Sequence, residues 1–269
     1  MMMDSKSVDE RAERAGTLPR GPQASIAYRC RAGGAGLPGV LFLCGFRSDM
    51  TGTKAGHLAR FCAARNQTYG RFDYQGHGAS STPFEDCTVG LWLEDALAVL
   101  DQICAGPQIL VGSSMGAWLA LLVALRRPDR VAGLISIAGA PDFTEALLLP
   151  RLGPARQEIL FAERALRIPS AYDPAGYVIT RKLAEEARAH LLLAGPIALA
   201  APVRLLHGMA DADVPWQHSL RVAAALTGSD VAVTLIKDGD HRLSRPQDLA
   251  RLEAAIEELS LNSRRRAAP

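Results

Sequence analysis

Short apolar runs alternate with helix-forming stretches along most of this chain. Six runs favour strands, at residues 40–44, 69–73, 109–111, 131–138, 203–206 and 231–236. Five stretches favour helices, at residues 54–65, 90–104, 182–193, 217–227 and 247–259. Because most of the strand-type runs are continuously apolar, both of their faces are expected to be buried, as in a parallel sheet covered by helices. The pattern therefore predicts an α/β fold with a doubly wound, mostly parallel sheet.

Three parts of the chain depart from this alternation. Residues 1–22 are polar and are predicted to form a flexible N-terminal segment, followed by an edge strand at residues 24–30. Between residue 140 and about residue 201 no strand of a βαβ unit is recognisable, so we expect a helical cap over the carboxyl ends of the strands. Residues 263–269 contain three consecutive arginines and are predicted to be a basic tail. The remainder, residues 23–262, is predicted to be one domain that carries the cap.

Charge and cysteine content narrow the class of protein. The chain has 30 Lys and Arg against 28 Asp and Glu, which gives no electrostatic reason to expect a nucleic-acid partner. Its five cysteines contain no Cys-x-x-Cys pair, which is typical of a reducing compartment. No apolar run reaches the roughly eighteen residues of a membrane span, and acidic residues near the N-terminus argue against a secretory signal or a transit peptide. We therefore expect a cytoplasmic protein with no membrane span, and the oligomeric state is left open.

The stretch around Ser114 carries the first sign of chemistry. An apolar run ends at Gly112-Ser113-Ser114-Met115-Gly116, and a helix-forming run rich in Ala and Leu follows. A strand, a sharp turn and a helix in this order are typical of a nucleophile elbow, which holds a serine on a strained turn with its hydroxyl exposed. Glycines two residues to either side suit a turn with no room for a Cβ atom. The pattern predicts Ser114 as a nucleophile.

A serine hydroxyl needs a base within hydrogen-bond reach and a third group that orients the base. His241 is the late histidine in a loop directly after a predicted strand, so it is the candidate base. The acid should follow the preceding strand, where Asp211 and Asp213 compete, and their spacing to Ser114 and His241 does not choose between them. No His-Glu-x-x-His or comparable cluster is present, so we expect neither a metal nor a cofactor.

Five segments together resemble the α/β-hydrolase superfamily over nearly the whole chain after residue 22. They are residues 44–46, 73–78, 112–116, 207–215 and 240–241. In the family's HGxxDxxVP pattern the acid is the first aspartate, which implies Asp211 here and leaves Asp213 as a loop residue. The resemblance also implies an oxyanion hole formed by the backbone N–H groups of Phe46 and Met115. One departure is Cys44, where many relatives carry histidine.

Three longer runs, residues 46–55, 107–114 and 204–209, narrow the resemblance. They are similar to the mitochondrial palmitoyl-protein thioesterases that are also acyl-glucuronide esterases, and to their bacterial relatives. This implies hydrolysis of acyl esters or thioesters, with a small-molecule substrate or an acylated protein. The absence of a typical targeting segment favours a bacterial-type cytosolic form, or a protein of the mitochondrial matrix if the source is eukaryotic.

Four residues are candidates for substrate binding. Arg47 and Arg242 lie next to proposed site residues and could bind an anionic group such as a glucuronate carboxylate, although solvated arginines are the simpler interpretation. Leu147 and Leu148 could line an acyl pocket or simply hold the cap on the domain. Two other functions stay open, a serine peptidase of the prolyl-oligopeptidase type and a non-catalytic ligand-binding α/β-hydrolase.

Overall fold

The computed structural model describes residues 13–34, 36–170 and 173–267. The strands in chain order are β1 (Arg14–Pro19), β2 (Ser25–Arg31), β3 (Gly39–Leu43), β4 (Tyr69–Phe72), β5 (Gln108–Ser113), β6 (Val131–Ile137), β7 (Ala165–Ile168), β8 (Tyr177–Thr180), β9 (Val203–Gly208) and β10 (Val231–Ile236). The α-helices are α1 (Thr53–Ala64), α2 (Val89–Gln102), α3 (Met115–Arg126), α4 (Leu149–Glu163), α5 (Arg181–Glu186), α6 (Gln217–Ala225) and α7 (Pro246–Ala267). Within these residues no helix is both long and apolar enough to cross a membrane.

Eight strands form one twisted sheet in the order β1-β2-β4-β3-β5-β6-β9-β10. The first two pairings, β1 with β2 and β2 with β4, are antiparallel, and all the others are parallel. Every residue of β3 and β5 is buried, because α3 and α7 both pack over the centre of the sheet, beside α2 and α1 respectively. The α/β fold with a mostly parallel sheet is therefore confirmed, and β5 brings Ser114 to the middle of its carboxyl edge.

Both ends of the chain differ from the prediction. Residues 14–19, expected to be flexible, form β1 and pair with β2, so β2 is an interior strand and not the edge. The prediction missed β1 because only Leu18 of this strand is buried, which leaves almost no apolar alternation to detect. At the other end α7 continues through Ala267, where a tail was expected. Residues 1–12 lie outside the described residues, as do 268 and 269.

The insertion after β6 is not purely helical. A π-helical turn at Thr144–Leu148 leads into α4, and α4 is kinked at Gly153 (φ 70°) before Pro154. The strands β7 and β8 then pair as an antiparallel hairpin that is separate from the main sheet. Each of these strands has only four residues, too few for a clear alternation of apolar and polar positions. The hairpin packs with Leu149, Leu152 and Leu160 in a second small core.

Candidate active site

Ser114 lies at the turn between β5 and α3 in a strained backbone conformation. Its φ is 55° and its ψ is −119°, a region that residues with a Cβ atom rarely adopt. The turn is held by the Ser114 N–H, which donates to Ile137 O at 2.9 Å, and by the Ser114 carbonyl oxygen, which accepts from Ala140 N at 3.1 Å. The main chains of β5 and β6 therefore fix the position of the serine hydroxyl.

The glycines around Ser114 allow three backbone segments to meet. A Cβ atom at Gly112 would overlap the backbone of Gly116 and Ala117. A Cβ atom at Gly116 would overlap the carbonyl oxygens of Leu43 and Cys44 at the end of β3. Because these neighbours are backbone atoms, they cannot move aside as a flexible side chain would. The close approach brings the loop after β3 next to the turn at Ser114.

Three side chains far apart in the sequence meet at this turn. Ser114 Oγ lies 3.2 Å from His241 Nε2, and His241 Nδ1 lies 2.7 Å from Asp211 Oδ2. An ionised carboxylate can only accept, so His241 donates from Nδ1 and its Nε2 is left to accept from the serine hydroxyl. The Asp211 side chain is fully buried, whereas that of His241 is 18% exposed. Of the two aspartates weighed from the sequence, Asp211 is the one that contacts His241.

The Asp211 carboxylate is saturated with hydrogen bonds. Its Oδ1 accepts from the backbone N–H groups of Asp213 and Val214, both at 2.8 Å, and its Oδ2 accepts from the rings of His241 and His207. Burial by itself raises the pKa of Asp211, but the bonds from His207, His241 and Val214 outweigh it and hold this pKa well below its usual range. The group therefore stays ionised beside His241 at any pH near neutrality.

His207 contacts the same carboxylate oxygen of Asp211 as His241 does. It is fully buried at the end of β9, and its Nε2 lies 3.0 Å from Val214 O and 3.2 Å from Asp211 Oδ2. A carbonyl oxygen can only accept, so Nε2 carries the proton and Nδ1 accepts from the Ser219 hydroxyl at 2.7 Å. The sequence motif at residues 207–215 does not predict this role, although it places His207 four residues before Asp211.

The loop that carries His241 is tied to α1. Lys54 Nζ donates to the carbonyl oxygen of Arg242 at 2.5 Å, across 188 positions of sequence. The Leu243 N–H donates to Asp240 Oδ1 at 2.9 Å and closes the other side of the loop. Lys54 was not among the sequence candidates, because nothing in the local pattern links the two segments.

The two backbone amides expected to form an oxyanion hole lie at this site. Met115 is the first residue of α3, so its N–H has no acceptor within the helix. Phe46 follows Gly45, whose Cβ position would lie 3.4 Å from Ser114 Cβ. Among the described residues, neither N–H donates to a side chain or to a loop carbonyl. Both residues line a cavity beside Ser114, and their role in an oxyanion hole stays a prediction.

Two cavities meet at Ser114 and His241. One, of about 380 Å³, lies under the cap and is mainly apolar, lined by residues that include Phe46, Phe143, Leu147, Leu148, Leu152 and Ile168. The other, of about 310 Å³, is more polar and is lined by residues that include Arg47, Asp49, Lys54, Arg242 and Ser244. Of the four candidate substrate-binding residues, Leu147 and Leu148 line the apolar cavity, and Arg47 and Arg242 line the more polar one.

Arg47 is held in place by the protein itself. Its guanidinium lies 4.5 Å from the ring centre of Phe84 and 5.6 Å from that of Tyr177, and its Nη2 lies 3.9 Å from Asp173 Oδ2. Tyr177 and Asp173 belong to the cap. The contact therefore joins the loop after β3 to the cap.

Asp211, Asp213 and His241 place ligand-type atoms within 4.8 Å of one another. Metal–ligand bonds of about 2.0–2.2 Å hold ligand atoms about 3 Å or more apart. The 2.7 Å contact between His241 and Asp211 is shorter and is a direct hydrogen bond. The geometry fits a carboxylate–imidazole pair better than a metal site.

The chain is similar to known proteins over most of its length. A sequence model of the alpha/beta hydrolase family matches residues 40–252. The mitochondrial palmitoyl-protein thioesterase ABHD10 of Mus musculus is 42% identical over 245 residues, which cover 90% of this chain and 81% of the relative. The crystal structure of a putative hydrolase from Agrobacterium vitis S4 has a TM-score of 0.87 and 43% identity, covering 92% of this chain and 98% of that one.

A further solved structure is the mouse alpha/beta hydrolase domain-containing protein 10. It has a TM-score of 0.83 and 40% identity, covering 91% of this chain and 98% of that one. The resemblance read from the sequence motifs is thereby confirmed. The chain belongs to the alpha/beta hydrolase family.

Proposed function

We propose that this protein is a serine hydrolase that cleaves acyl esters or thioesters through an acyl-enzyme. The observation that carries the proposal is the hydrogen-bonded chain from Ser114 through His241 to Asp211, built on a strained turn. Backbone strain of this kind persists only where the surrounding structure enforces it, and residues with such strain cluster at catalytic sites. Family membership and the named activity of the mouse relative support the reaction class.

In the proposed reaction Ser114 Oγ attacks the carbonyl carbon while its proton passes to His241 Nε2. The carbonyl oxygen becomes an oxyanion and accepts hydrogen bonds from the N–H groups of Phe46 and Met115. The tetrahedral intermediate collapses as the bond to the leaving alcohol or thiol breaks, and His241 returns the proton to that group. Water then attacks the acyl-enzyme with His241 as base, which releases the acid and restores Ser114. Asp211 keeps His241 oriented and stabilises its charged form.

The two cavities suggest how a substrate is divided. The apolar cavity under the cap suits the acyl group, since Leu147, Leu148 and Leu152 can contact its methylene groups. The more polar cavity suits the leaving group, with Arg47 and Arg242 in position to contact an anionic substituent. The naming of the relatives as palmitoyl-protein thioesterases supports an acylated thiol as one substrate class. Those relatives are also named mitochondrial, whereas a cytoplasmic location of this chain stays a prediction.

The proposal is tested by a panel of acyl esters and thioesters of graded chain length, with a fluorophosphonate probe as a label. Wild-type protein should hydrolyse members of both classes and become labelled. The Ser114→Ala variant should show neither activity nor label, because the acyl-enzyme cannot form. Equal labelling of the two proteins, or hydrolysis that survives in the variant, would contradict the proposal.

A further inference from the structure

His77 is a buried histidine that the proposed reaction does not use. It is 4% exposed, in the loop after β4. Three aromatic rings surround it edge-on, those of Tyr74, Phe84 and Trp92, with centroid distances of 5.6, 5.3 and 5.2 Å. A phenylalanine would fill this place as well, so packing alone does not account for the imidazole.

The two ring nitrogens of His77 contact different backbone groups, one a donor and the other an acceptor. The Arg47 N–H donates to Nε2 at 3.2 Å, and Nδ1 lies 3.2 Å from the carbonyl oxygen of Gln75. A backbone N–H can only donate and a carbonyl oxygen can only accept, so the proton is on Nδ1 and the lone pair is on Nε2. Burial and, to a smaller extent, nearby Arg47 together lower the pKa of His77 to about 4, against the opposing effects of the Gln75 carbonyl and Asp49. The ring therefore stays neutral and keeps Nε2 as an acceptor.

The accepted N–H belongs to the turn that carries the proposed oxyanion donor. The Ser48 N–H donates to Gly45 O at 3.1 Å and closes a four-residue turn with Phe46 and Arg47 at its centre. Arg47 has a φ of 57°. A positive φ at the third position is the mark of a type II turn and is normally reserved for glycine or asparagine. Arginine at this place would relax toward type I unless something held the peptide.

The type I and type II forms differ by rotation of the peptide between the second and third residues through about half a turn. In this loop that rotation would exchange the sides to which the Phe46 carbonyl and the Arg47 N–H point. The Phe46 N–H lies on the preceding peptide, between Gly45 and Phe46, and is joined to the central peptide through the Phe46 Cα atom. The loop is fixed further on by the Met50 N–H, which donates to Asp73 Oδ1 at 2.6 Å, but that bond does not restrain the central peptide.

We propose that His77 is a positioning residue for the oxyanion hole: its Nε2 holds the Arg47 N–H and the type II form of the Gly45–Ser48 turn, and so keeps this turn, with the neighbouring Phe46 N–H, in place beside the substrate oxygen. This role rests on the proposed serine hydrolase function. The Phe46 N–H stabilises the substrate oxygen mainly when negative charge develops on it. The contact made by His77 should therefore affect the transition state more than substrate binding.

The test compares three variants in hydrolysis of a p-nitrophenyl acyl ester. His77→Phe keeps a ring but removes the acceptor, and His77→Gln places an amide oxygen near the position of Nε2. Tyr74→Phe is the matched control, because the Tyr74 hydroxyl has no hydrogen-bond partner among the described residues and lies in the same aromatic cluster. Loss of a whole oxyanion donor lowers kcat by about 10²- to 10³-fold. We expect about a 10- to 100-fold loss for His77→Phe with KM little changed, since the donor is displaced rather than removed.

A boronic acid that adds to the serine and places an oxygen in the oxyanion hole gives a second measure. His77→Phe should weaken its inhibition by a factor similar to the loss in kcat, whereas His77→Gln should recover most of both and Tyr74→Phe should match wild type. Wild-type kcat in His77→Phe, equal losses in Tyr74→Phe, or a His77→Gln variant as impaired as His77→Phe would overturn the assignment. Active wild type with an inactive Ser114→Ala variant would still uphold the hydrolase function in that case, so the two failures are distinguishable.

If His77→Phe does not fold, the wild-type protein still decides. A long-range ¹⁵N–¹H spectrum should show one histidine that is protonated at Nδ1 alone and stays neutral down to about pH 4. An Nε2-protonated tautomer for His77 would overturn the proposal, because that ring cannot accept the Arg47 N–H.

Discussion

At the scale of single residues, His207 is the side chain beyond the proposed triad on which Asp211 depends. Replacing it with Phe removes one donor from a buried carboxylate and leaves the Ser219 hydroxyl without its acceptor. Each unpaired buried group costs about 1–3 kcal/mol, so we expect His207→Phe to lower the free energy of unfolding by at least that amount. We also expect kcat to fall about tenfold or more, because Asp211 then holds His241 less firmly. Urea unfolding and steady-state kinetics measure the two effects.

Ser219→Ala is the matched control for this prediction. It removes the outer partner of the same ring but leaves the contact between His207 and Asp211 in place. It should lower stability less than His207→Phe and keep kcat near that of wild type. Equal kinetic effects of the two substitutions would show that Asp211 does not depend on the His207 donor.

Motifs identified the residues at the centre of the site but not the residues that support them. Ser114 and His241 follow from their place after predicted strands, whereas the choice of Asp211 over Asp213 needed the family pattern. His207 and His77 also stood in recognised motifs, yet their value comes from single atoms that face Asp211 and Arg47. The contact of His77 with Arg47 depends on how two loops 30 residues apart are brought together, and that of His207 with Asp211 depends on how the chain turns after β9. Local patterns of residues encode neither.

At the scale of elements, the meeting of α3, β3 and β5 depends on Gly116. A Cβ atom there would overlap the Leu43 and Cys44 carbonyl oxygens, which belong to the end of β3 and the loop that follows. We expect Gly116→Ala to lower the free energy of unfolding by about 3 kcal/mol or more and to abolish hydrolysis, because α3 must move away from β3. Chemical denaturation and an ester assay measure the two losses.

Gly195→Ala is the corresponding control at an exposed position, where an added Cβ atom meets nothing within 4 Å. Its stability should stay within about 0.5 kcal/mol of wild type. A Gly116→Ala variant as stable and active as Gly195→Ala would contradict the close approach of the three elements.

Elements with a strong apolar pattern were predicted well, and those without one were missed. The strands β3, β5, β6 and β9 were each located to within a few residues, since buried strands leave long apolar runs. The edge strand β10 was predicted with its observed bounds from its own apolar run, although only Ile236 in it is buried. By contrast, β1 is mostly exposed, and the hairpin of β7 and β8 pairs only with itself. The formation of β1 depends on pairing with β2, and that of β7 and β8 on pairing with each other within the cap. None of the three depends on burial in the main core.

At the scale of the whole molecule, buried histidines make stability depend on pH. Burial lowers the pKa of His77 from 6.5 to about 4 and also lowers that of His218. Between about pH 6.5 and pH 4 the unfolded chain therefore binds protons that the folded protein excludes. The free energy of unfolding is fully retained above this window and falls as the pH drops through it. For His77 alone we expect a loss of about 2 kcal/mol at pH 5, at roughly 1.4 kcal/mol per unit of pKa shift.

The measurement compares wild type with His77→Gln by urea unfolding at pH 7.5 and pH 5. Buried Asp73 and Asp95 have raised pKa values, which act in the opposite direction, but they are present in both proteins and cancel in the difference. The wild type should lose about 2 kcal/mol more than the variant on acidification. Equal losses of unfolding free energy in the two proteins would show that the pKa of His77 is the same in the folded and unfolded states.

The strained turn at Ser114 sets stability and activity against each other at one position. A glycine would adopt its φ of 55° and ψ of −119° with less strain than a serine, so folding alone does not favour the residue found there. A laboratory selection for heat resistance that does not also demand turnover would therefore tend to replace Ser114, the proposed nucleophile. Engineering this protein for higher thermal stability therefore requires that the variants from every round of selection also be screened for hydrolysis.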